Sequence, residues 1–243
     1  MPKSSNMYKE AFPWNVFVGC LFNCDYCDPS FKAQMKRQKP VIDKNGKKRG
    51  CQQCYDYEPH FHEDRITIEY CKKHFAKAKE NQFIWVGSSG DISFIEYPNM
   101  LKILKKIEEY PDRTFFFQTK NPEFFHKFIF PINVILGITL ESDIFYKGIS
   151  KASYPYERAY SFEKLDFPRK FLTIEPILEF NFSVFLGWIQ EINPERVYIG
   201  YDSHKCNLPE PSPLKVKKLI NELSRFTTVK TKYMKKEVQT KLC

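Results

Sequence analysis

The sequence predicts an α/β fold, a parallel β/α barrel or part of one. Short apolar runs alternate with segments of helical periodicity along most of the chain. The segments between these runs are long enough to cross over from one parallel strand to the next. The runs that predict strands are residues 14–18, 83–86, 114–117, 133–138, 170–174, 196–199 and 227–232.

The helices are predicted from apolar residues spaced three and four positions apart. Residues 99–109 have this spacing, with apolar residues at Met100, Leu101, Ile103, Leu104 and Ile107. Two further helices are expected at residues 182–192 and 213–226. Because 243 residues with 42% apolar content can bury one large core, we expect a single domain over residues 1–243.

A basic segment after the first predicted strand interrupts the alternation of strands and helices. It contains Asn45-Gly46 between charged residues, which is typical of an exposed hairpin or loop. We expect residues 38–62 to be an insertion within the barrel, and this insertion contains cysteines and histidines.

Charge and hydropathy limit the classes of partner. The chain carries 38 Lys and Arg against 29 Asp and Glu, a net charge of +9. This balance favours an anionic partner such as a nucleic acid or nucleotide, although a generally lysine-rich surface would give the same charge. No apolar run approaches the roughly 20 residues of a membrane-spanning helix, so no membrane partner is expected.

Cysteine usage indicates the compartment. The N-terminal residues contain no apolar segment of a secretory signal peptide, so we expect the eight cysteines to be reduced and the protein to be cytoplasmic.

Polar side chains follow several predicted strands. In β/α barrels the carboxyl ends of the strands form the active face, so these side chains are expected to meet at one mouth. Each of them alone also has a structural explanation, as a helix cap or a turn residue. The candidates are Ser88, Ser89, Asp91, Gln118, Thr119, Lys120, Thr139, Glu141, Ser142, Thr173, Glu175, Tyr201, Asp202, Ser203 and His204.

Three cysteines follow the first predicted strand with the spacing Cys20-x3-Cys24-x2-Cys27. A loop this short can turn three thiolates toward one iron–sulfur cluster but supplies no fourth ligand. One iron of a 4Fe–4S cluster would therefore keep an open coordination site, where chemistry can occur.

With Tyr26 before its last cysteine, this motif resembles the signature of the radical S-adenosylmethionine (SAM) superfamily. Other segments resemble, in order, a phage-associated radical SAM family of unassigned function that is distantly similar to spore photoproduct lyase. These segments are Trp14-Asn15 and residues 61–65, 87–91, 118–120, 133–139 and 175–178. The resemblance covers nearly the whole chain and implies a partial (β/α)6 TIM-like barrel.

The resemblance implies a radical SAM enzyme whose 4Fe–4S cluster is held by Cys20, Cys24 and Cys27. Reductive cleavage of SAM at such a cluster yields a 5'-deoxyadenosyl radical that abstracts hydrogen from a substrate. A reductase such as a flavodoxin or ferredoxin would supply the electron. The first candidate substrate is a nucleic acid or nucleotide undergoing modification or repair, and a peptide or small metabolite is the alternative.

The family pattern also implies cofactor-binding residues. The loop Ser88-Ser89-Gly90-Asp91 corresponds to the place that receives the SAM amino group, although the superfamily's usual Gly-Gly-Glu is absent. Tyr26 would lie against the adenine, and Gln118 is a further cofactor-binding candidate. Thr139, Glu141 and Ser142 suit the ribose hydroxyls.

Two charged residues are the candidates for catalysis. Lys120 would meet the SAM carboxylate or a substrate phosphate. Glu175 would face SAM or the substrate, although a structural ion pair explains it equally well.

Cys51-x2-Cys54, followed by His60 and His62, has ligand types that suit tetrahedral zinc. The alternative is that these cysteines are incidental and that His62 only packs or forms hydrogen bonds. A rival assignment pairs Cys24-x2-Cys27 with Cys51-x2-Cys54 in a four-thiolate zinc ribbon, which would make the chain a nucleic-acid-binding protein without catalysis. That assignment leaves Cys20 unused and does not require a barrel.

Overall fold

Seven parallel strands form one curled sheet at the centre of the molecule. The computed structural model describes residues 7–236, and in it the strands stand in the sheet in their chain order. Every neighbouring pair is parallel. They are β1 (Ala11–Trp14), β2 (Phe83–Val86), β3 (Phe115–Thr119), β4 (Val134–Thr139), β5 (Lys170–Ile174), β6 (Arg196–Ile199) and β7 (Thr228–Thr231).

Helical segments connect successive strands of this sheet. The longer ones are α1 (Ile68–Phe75), α2 (Tyr97–Glu108), α3 (Pro155–Glu163), α4 (Phe182–Ile192) and α5 (Pro213–Leu223), and the 3-10 helix Pro122–Lys127 joins β3 to β4. Six strand–helix units therefore precede β7. Within residues 7–236 no pairing joins β1 to β7, so the barrel is partial, as predicted. None of these described helices is long and apolar enough to cross a membrane.

Short elements fill the long connection between β1 and α1 and the loop after β2. The helical ones are Asp25–Cys27, Asp28–Lys32, Ala33–Met35, Lys36–Gln38, Gln52–Asp56, Glu63–Arg65 and Ile92–Phe94, and Met7–Glu10 precedes β1. A hairpin pairs Val41–Ile42 with Lys48–Arg49 around the expected turn. A small sheet has the order His60–Phe61, Phe17–Gly19, Ser89–Gly90. That residues 38–62 are an insertion stays a prediction.

The inner strands β2–β6 are almost wholly buried on both faces of the sheet, which is why they read as mainly apolar runs. In β3, Phe115 and Phe117 pack into the main core with the helices, whereas Phe116 points to the other face. There it packs with Phe83, Trp85, Phe171 and Tyr198 among others. This second core fills the inside of the half-barrel below the carboxyl ends of the strands.

The first strand is predicted at residues 14–18 but lies at Ala11–Trp14. Residues 16–18 are all buried, so the apolar run continues through a break in the sheet. At the break, the Asn15 side-chain oxygen accepts hydrogen bonds from the Ser88 hydroxyl (2.9 Å) and the Ser89 amide (3.0 Å). The chain therefore leaves the main sheet after Trp14, and Phe17–Gly19 joins the small sheet instead.

Gly19 is required at the end of the strand Phe17–Gly19. Its φ is +98°, and a Cβ there would lie 2.2 Å from the carbonyl oxygen of Glu58. Gly148 has a similar φ of +93° but no atom within 4 Å of the added Cβ, so Gly148→Ala incurs only the backbone cost. We expect Gly19→Ala to reduce the free energy of unfolding by about 1–3 kcal/mol more than Gly148→Ala, because of the added overlap. Denaturant unfolding of the two variants checks this, and equal losses would contradict it.

Candidate functional site

A cavity of about 680 Å³ lies at the carboxyl ends of the strands. The three cysteines of the motif form part of its wall. Most of the other predicted site residues line it as well: Tyr26, Ser88, Gly90, Asp91, Gln118, Lys120, Thr139 and Glu175. The residues that follow separate strands therefore do meet at one mouth, as the sequence predicts.

The cysteine loop is held against this mouth by backbone and side-chain contacts. The Asp25 amide donates to the carbonyl of Ile149 (3.0 Å), and the Cys24 sulfur hydrogen-bonds the Ser150 hydroxyl (3.1 Å). The loop also begins where backbones approach closely, since a Cβ on Gly90 would lie 2.5 Å from the Gly19 carbonyl oxygen. Contacts from the loop after β4 and from the loop after β2 thus hold the cysteine loop in place.

The three thiols differ in their electrostatic environment. A hydrogen bond with Cys27, together with the Lys120 ammonium, lowers the pKa of Cys24 to about 6. Burial and the Asp91 carboxylate raise the pKa of Cys20 to about 12. The Cys24 hydrogen bond and burial raise the pKa of Cys27 far above its usual range. The hydrogen bond between Cys24 and Cys27 and the nearby Lys120 thus favour ionisation of one sulfur of this pair, and a bound cation would favour ionisation of all three thiols.

A buried group of charges lies beside the cysteines. Glu141 accepts hydrogen bonds from Lys120, Tyr26 and Arg158, the last at 2.8 Å. Burial disfavours the charge of Glu141, but Arg158 and Lys120 hold its pKa well below the usual range. Burial likewise opposes the charge of Lys120, yet Cys24 and Glu141 raise its pKa. Lys120 and Arg158 thus bring two cations close to the cysteines, against the carboxylates of Glu141 and the neighbouring Asp91.

Sequence reasoning missed Arg158, because no helix was predicted around it. Part of the signal was present, since Pro155 occupies the first turn of α3 and the Glu157 carboxylate accepts a hydrogen bond from the Tyr154 amide (3.2 Å). From α3, the buried Arg158 also donates to the Thr139 carbonyl at 2.6 Å. It thereby ties the helix to the end of β4.

Asp91 connects the loop after β2 to the end of β3. Its carboxylate accepts from the Thr119 hydroxyl (2.6 Å), the Lys120 amide (2.8 Å) and both the amide and hydroxyl of Ser93. Burial raises the pKa of Asp91, although these hydrogen bonds oppose the rise. In this geometry Asp91 shapes the cavity wall, and its predicted contact with the SAM amino group stays a prediction.

Two buried polar atoms that face the cavity have no hydrogen-bond partner. They are the Gln118 side-chain oxygen and the Thr173 hydroxyl. The Gln118 amide is oriented by donating to the Thr139 hydroxyl at 2.7 Å, which leaves its oxygen directed elsewhere. Unsatisfied buried polar atoms are rare in native proteins and indicate a missing ligand or water. The cavity is therefore suited to a polar ligand.

The remaining predicted residues make structural contacts. The Ser88 hydroxyl and Ser89 amide bind Asn15, as described above. The Ser142 hydroxyl donates to the Glu179 carbonyl (2.5 Å) and lines a neighbouring cavity of about 350 Å³. Glu175 pairs with Lys232 at 3.1 Å, and burial raises the pKa of Glu175 against the opposing effect of Lys232.

A second opening adjoins the main cavity. It has a volume of about 490 Å³ and shares Tyr26, Phe31 and Glu175 with the first. Its other side is formed by the loop after β6, with Tyr201, Asp202, Ser203 and His204. A broader groove of about 870 Å³, lined by Arg37, His204 and Lys232 among others, continues outward. A substrate approaching from this side would meet basic and polar side chains.

The two cysteines and two histidines of the predicted insertion also come together. The ligand atoms of Cys51, Cys54, His60 and His62 all lie within 4.8 Å of one another. Burial, followed by the charge of Arg65, lowers the pKa of His62 to about 4, so its ring is neutral at neutral pH. Burial and the nearby Cys51 raise the pKa of Cys54 to about 12. Among the described residues no four thiols converge as a zinc ribbon would require.

Comparison with known proteins supports the fold. No protein-family model matches the sequence, and no curated protein matches it. Among solved structures, the chain is similar to Streptococcus suis SuiB, crystallised with its precursor peptide SuiA bound, with a TM-score of 0.53 and 10% sequence identity. The match covers 91% of this chain and 48% of SuiB, so the chain spans about half the length of that protein.

Proposed function

We propose that this chain is a radical SAM enzyme in which Cys20, Cys24 and Cys27 hold a 4Fe–4S cluster. One observation carries the proposal: all three cysteines line a single cavity at the carboxyl edge of an open parallel barrel. Cluster ligands bind different irons, so their sulfurs need not converge on one point. The residues present fit the cluster and its cofactor, because the cavity beside the cysteines contains unsatisfied polar atoms and the Lys120 ammonium.

The bound cluster would supply the electron that cleaves the carbon–sulfur bond of SAM and so initiates hydrogen abstraction. The protein's own groups would bind and orient the cofactor. Gln118 and Thr173 offer the unpaired oxygen atoms for its polar groups. Lys120, held beside Glu141 and Tyr26, offers positive charge for a carboxylate. The aromatic core of the half-barrel below the cavity excludes water from that side.

Two substrate classes have support. The net charge of +9 and the outer groove with Arg37 and Lys232 favour an anionic substrate, such as a nucleic acid or nucleotide. The structural similarity to SuiB, which was crystallised with a precursor peptide, favours a peptide. Both classes would reach the cavity through the opening shared by Tyr26, Phe31 and Glu175.

The proposal is tested by reconstituting the protein anaerobically with iron and sulfide. We expect about four irons per chain and, after addition of dithionite and SAM, release of 5'-deoxyadenosine. Dithionite replaces the flavodoxin or ferredoxin that we propose as the electron donor. Full iron and sulfide loading without any cleavage of SAM would overturn the proposed function.

A further inference from the structure

A second group of metal-ligand side chains lies apart from the cavity, in residues 51–62. Sulfur–nitrogen distances are 3.5 Å for Cys51–His60, 3.3 Å for Cys54–His60 and 3.2 Å for Cys54–His62. The two histidine Nε2 atoms are 2.9 Å apart. With ordinary zinc bond lengths, the edges of an S₂N₂ tetrahedron measure about 3.3–3.8 Å. These four of the six separations are thus within about 0.5 Å of tetrahedral edges, and the other two, Cys51–Cys54 and Cys51–His62, are at most 4.8 Å.

The local backbone explains why these four side chains meet. Cys51 and Cys54 flank the first turn of the helix Gln52–Asp56, where Cys51 is the N-terminal cap residue. His60 and His62 are two positions apart on an extended segment, so their side chains point to the same side. The cysteines approach from the helix and the histidines from the strand.

The outer ring nitrogens of both histidines face oxygen atoms. His60 Nδ1 lies at hydrogen-bond distance, 2.7 Å, from the Glu58 carbonyl oxygen, whereas His62 Nδ1 lies 3.6 Å from the exposed Asp64 carboxylate, beyond that distance. Metal-binding histidines usually donate their second N–H to such oxygens, which directs the other nitrogen's lone pair at the metal. With both Nδ1 atoms protonated, the Nε2 lone pairs would face each other at 2.9 Å and repel unless a cation lay between them.

We infer that Cys51, Cys54, His60 and His62 bind a structural zinc ion that holds residues 51–62 against the strand leading into Cys20. Two thiolates and two imidazoles in a tetrahedral arrangement favour zinc over oxygen-preferring cations. Because four protein ligands fill the tetrahedron, no coordination site remains for a substrate.

The contacts around this site explain its effect on the cysteine loop. In the small sheet, His60 is the register partner of Val18 and Phe61 that of Phe17, two and three residues before Cys20. Buried Cys54 and Tyr57 pack with Val18 and Met35. A zinc ion bound there would fix the strand Phe17–Gly19 from the side opposite Ser89–Gly90.

The test is metal analysis and zinc-edge X-ray absorption on the full chain. We expect about one zinc per chain with two sulfur ligands near 2.3 Å and two nitrogen ligands near 2.0–2.1 Å. Cys51→Ser should lose the zinc, whereas Cys206→Ser should keep it, because Cys206 packs beside the Cys20–Cys27 loop and is not among the four zinc ligands.

Removal of zinc by a chelator should also speed hydrogen exchange of the Val18 and Gly19 amides, because the paired segment loosens. A wild-type chain that takes up no zinc when refolded with it, or a Cys51→Ser variant that retains it, would overturn the inference. A zinc coordination shell of four sulfur ligands would also overturn the inference. These outcomes do not depend on iron, so failure of the zinc site and failure of the proposed radical SAM function are distinguishable.

Discussion

Replacing Cys24 by alanine is expected to reduce the iron content from about four per chain to none, and to abolish 5'-deoxyadenosine formation. Cys24 is 3% exposed, lies on the cavity wall and has its pKa lowered to about 6 by Cys27 and Lys120. Cys20→Ala and Cys27→Ala are expected to have the same effect, because each would leave only two cysteine ligands. Iron and sulfide analysis after anaerobic reconstitution measures the loss of the cluster in each variant.

The matched control is Cys51→Ala, in the second cluster. It should leave the iron content unchanged and remove the zinc, whereas Cys24→Ala should remove the iron and keep the zinc. This reciprocal pattern separates loss of a ligand from loss of the fold. If Cys51→Ala removed the iron while hydrogen exchange of the Val18 and Gly19 amides stayed as in wild type, the assignment of cluster ligands to Cys20, Cys24 and Cys27 would be wrong.

Glu141→Gln is expected to lower the free energy of unfolding by about 3–5 kcal/mol, as is typical when one partner of a buried ion pair is removed. The side chains of Glu141 and Arg158 are each 6% exposed, so Arg158 and Lys120 would be left as uncompensated buried cations. Chemical denaturation at neutral pH measures the loss. Glu222→Gln, which breaks the exposed pair with Arg225, should cost about 0–1 kcal/mol.

The same carboxylate predicts a pH dependence. Because the pKa of Glu141 is lowered in the folded state, its stabilising contribution is present above the unfolded value of about 4.3 and is lost as pH falls toward the folded value. The difference in unfolding free energy between wild type and Glu141→Gln should therefore shrink below about pH 4. A difference that stayed constant between neutral pH and pH 3 would contradict the buried ion pair.

The strands could be predicted because a parallel sheet buried on both faces leaves continuous apolar runs. Residues 83–86, 170–174 and 196–199 match β2, β5 and β6, and residues 182–192 match α4. The prediction was wrong at the first strand, where the apolar run crosses the break at Asn15. That break depends on hydrogen bonds to Ser88 and Ser89, which are 73 and 74 positions away along the chain.

For the site, the sequence by itself determined two things: the spacing of the cysteines and the identity of the residues that follow each strand. Both depend only on residues close together in the sequence. Only the tertiary structure decided which of these residues contact each other. Lys120, predicted as a catalytic residue, and Glu141, predicted to contact the SAM ribose, share one buried cluster with Arg158 from an unpredicted helix. The physical reason is that these ion pairs and hydrogen bonds join residues that follow different strands. The periodicity of the sequence carries no information on the distances between such residues.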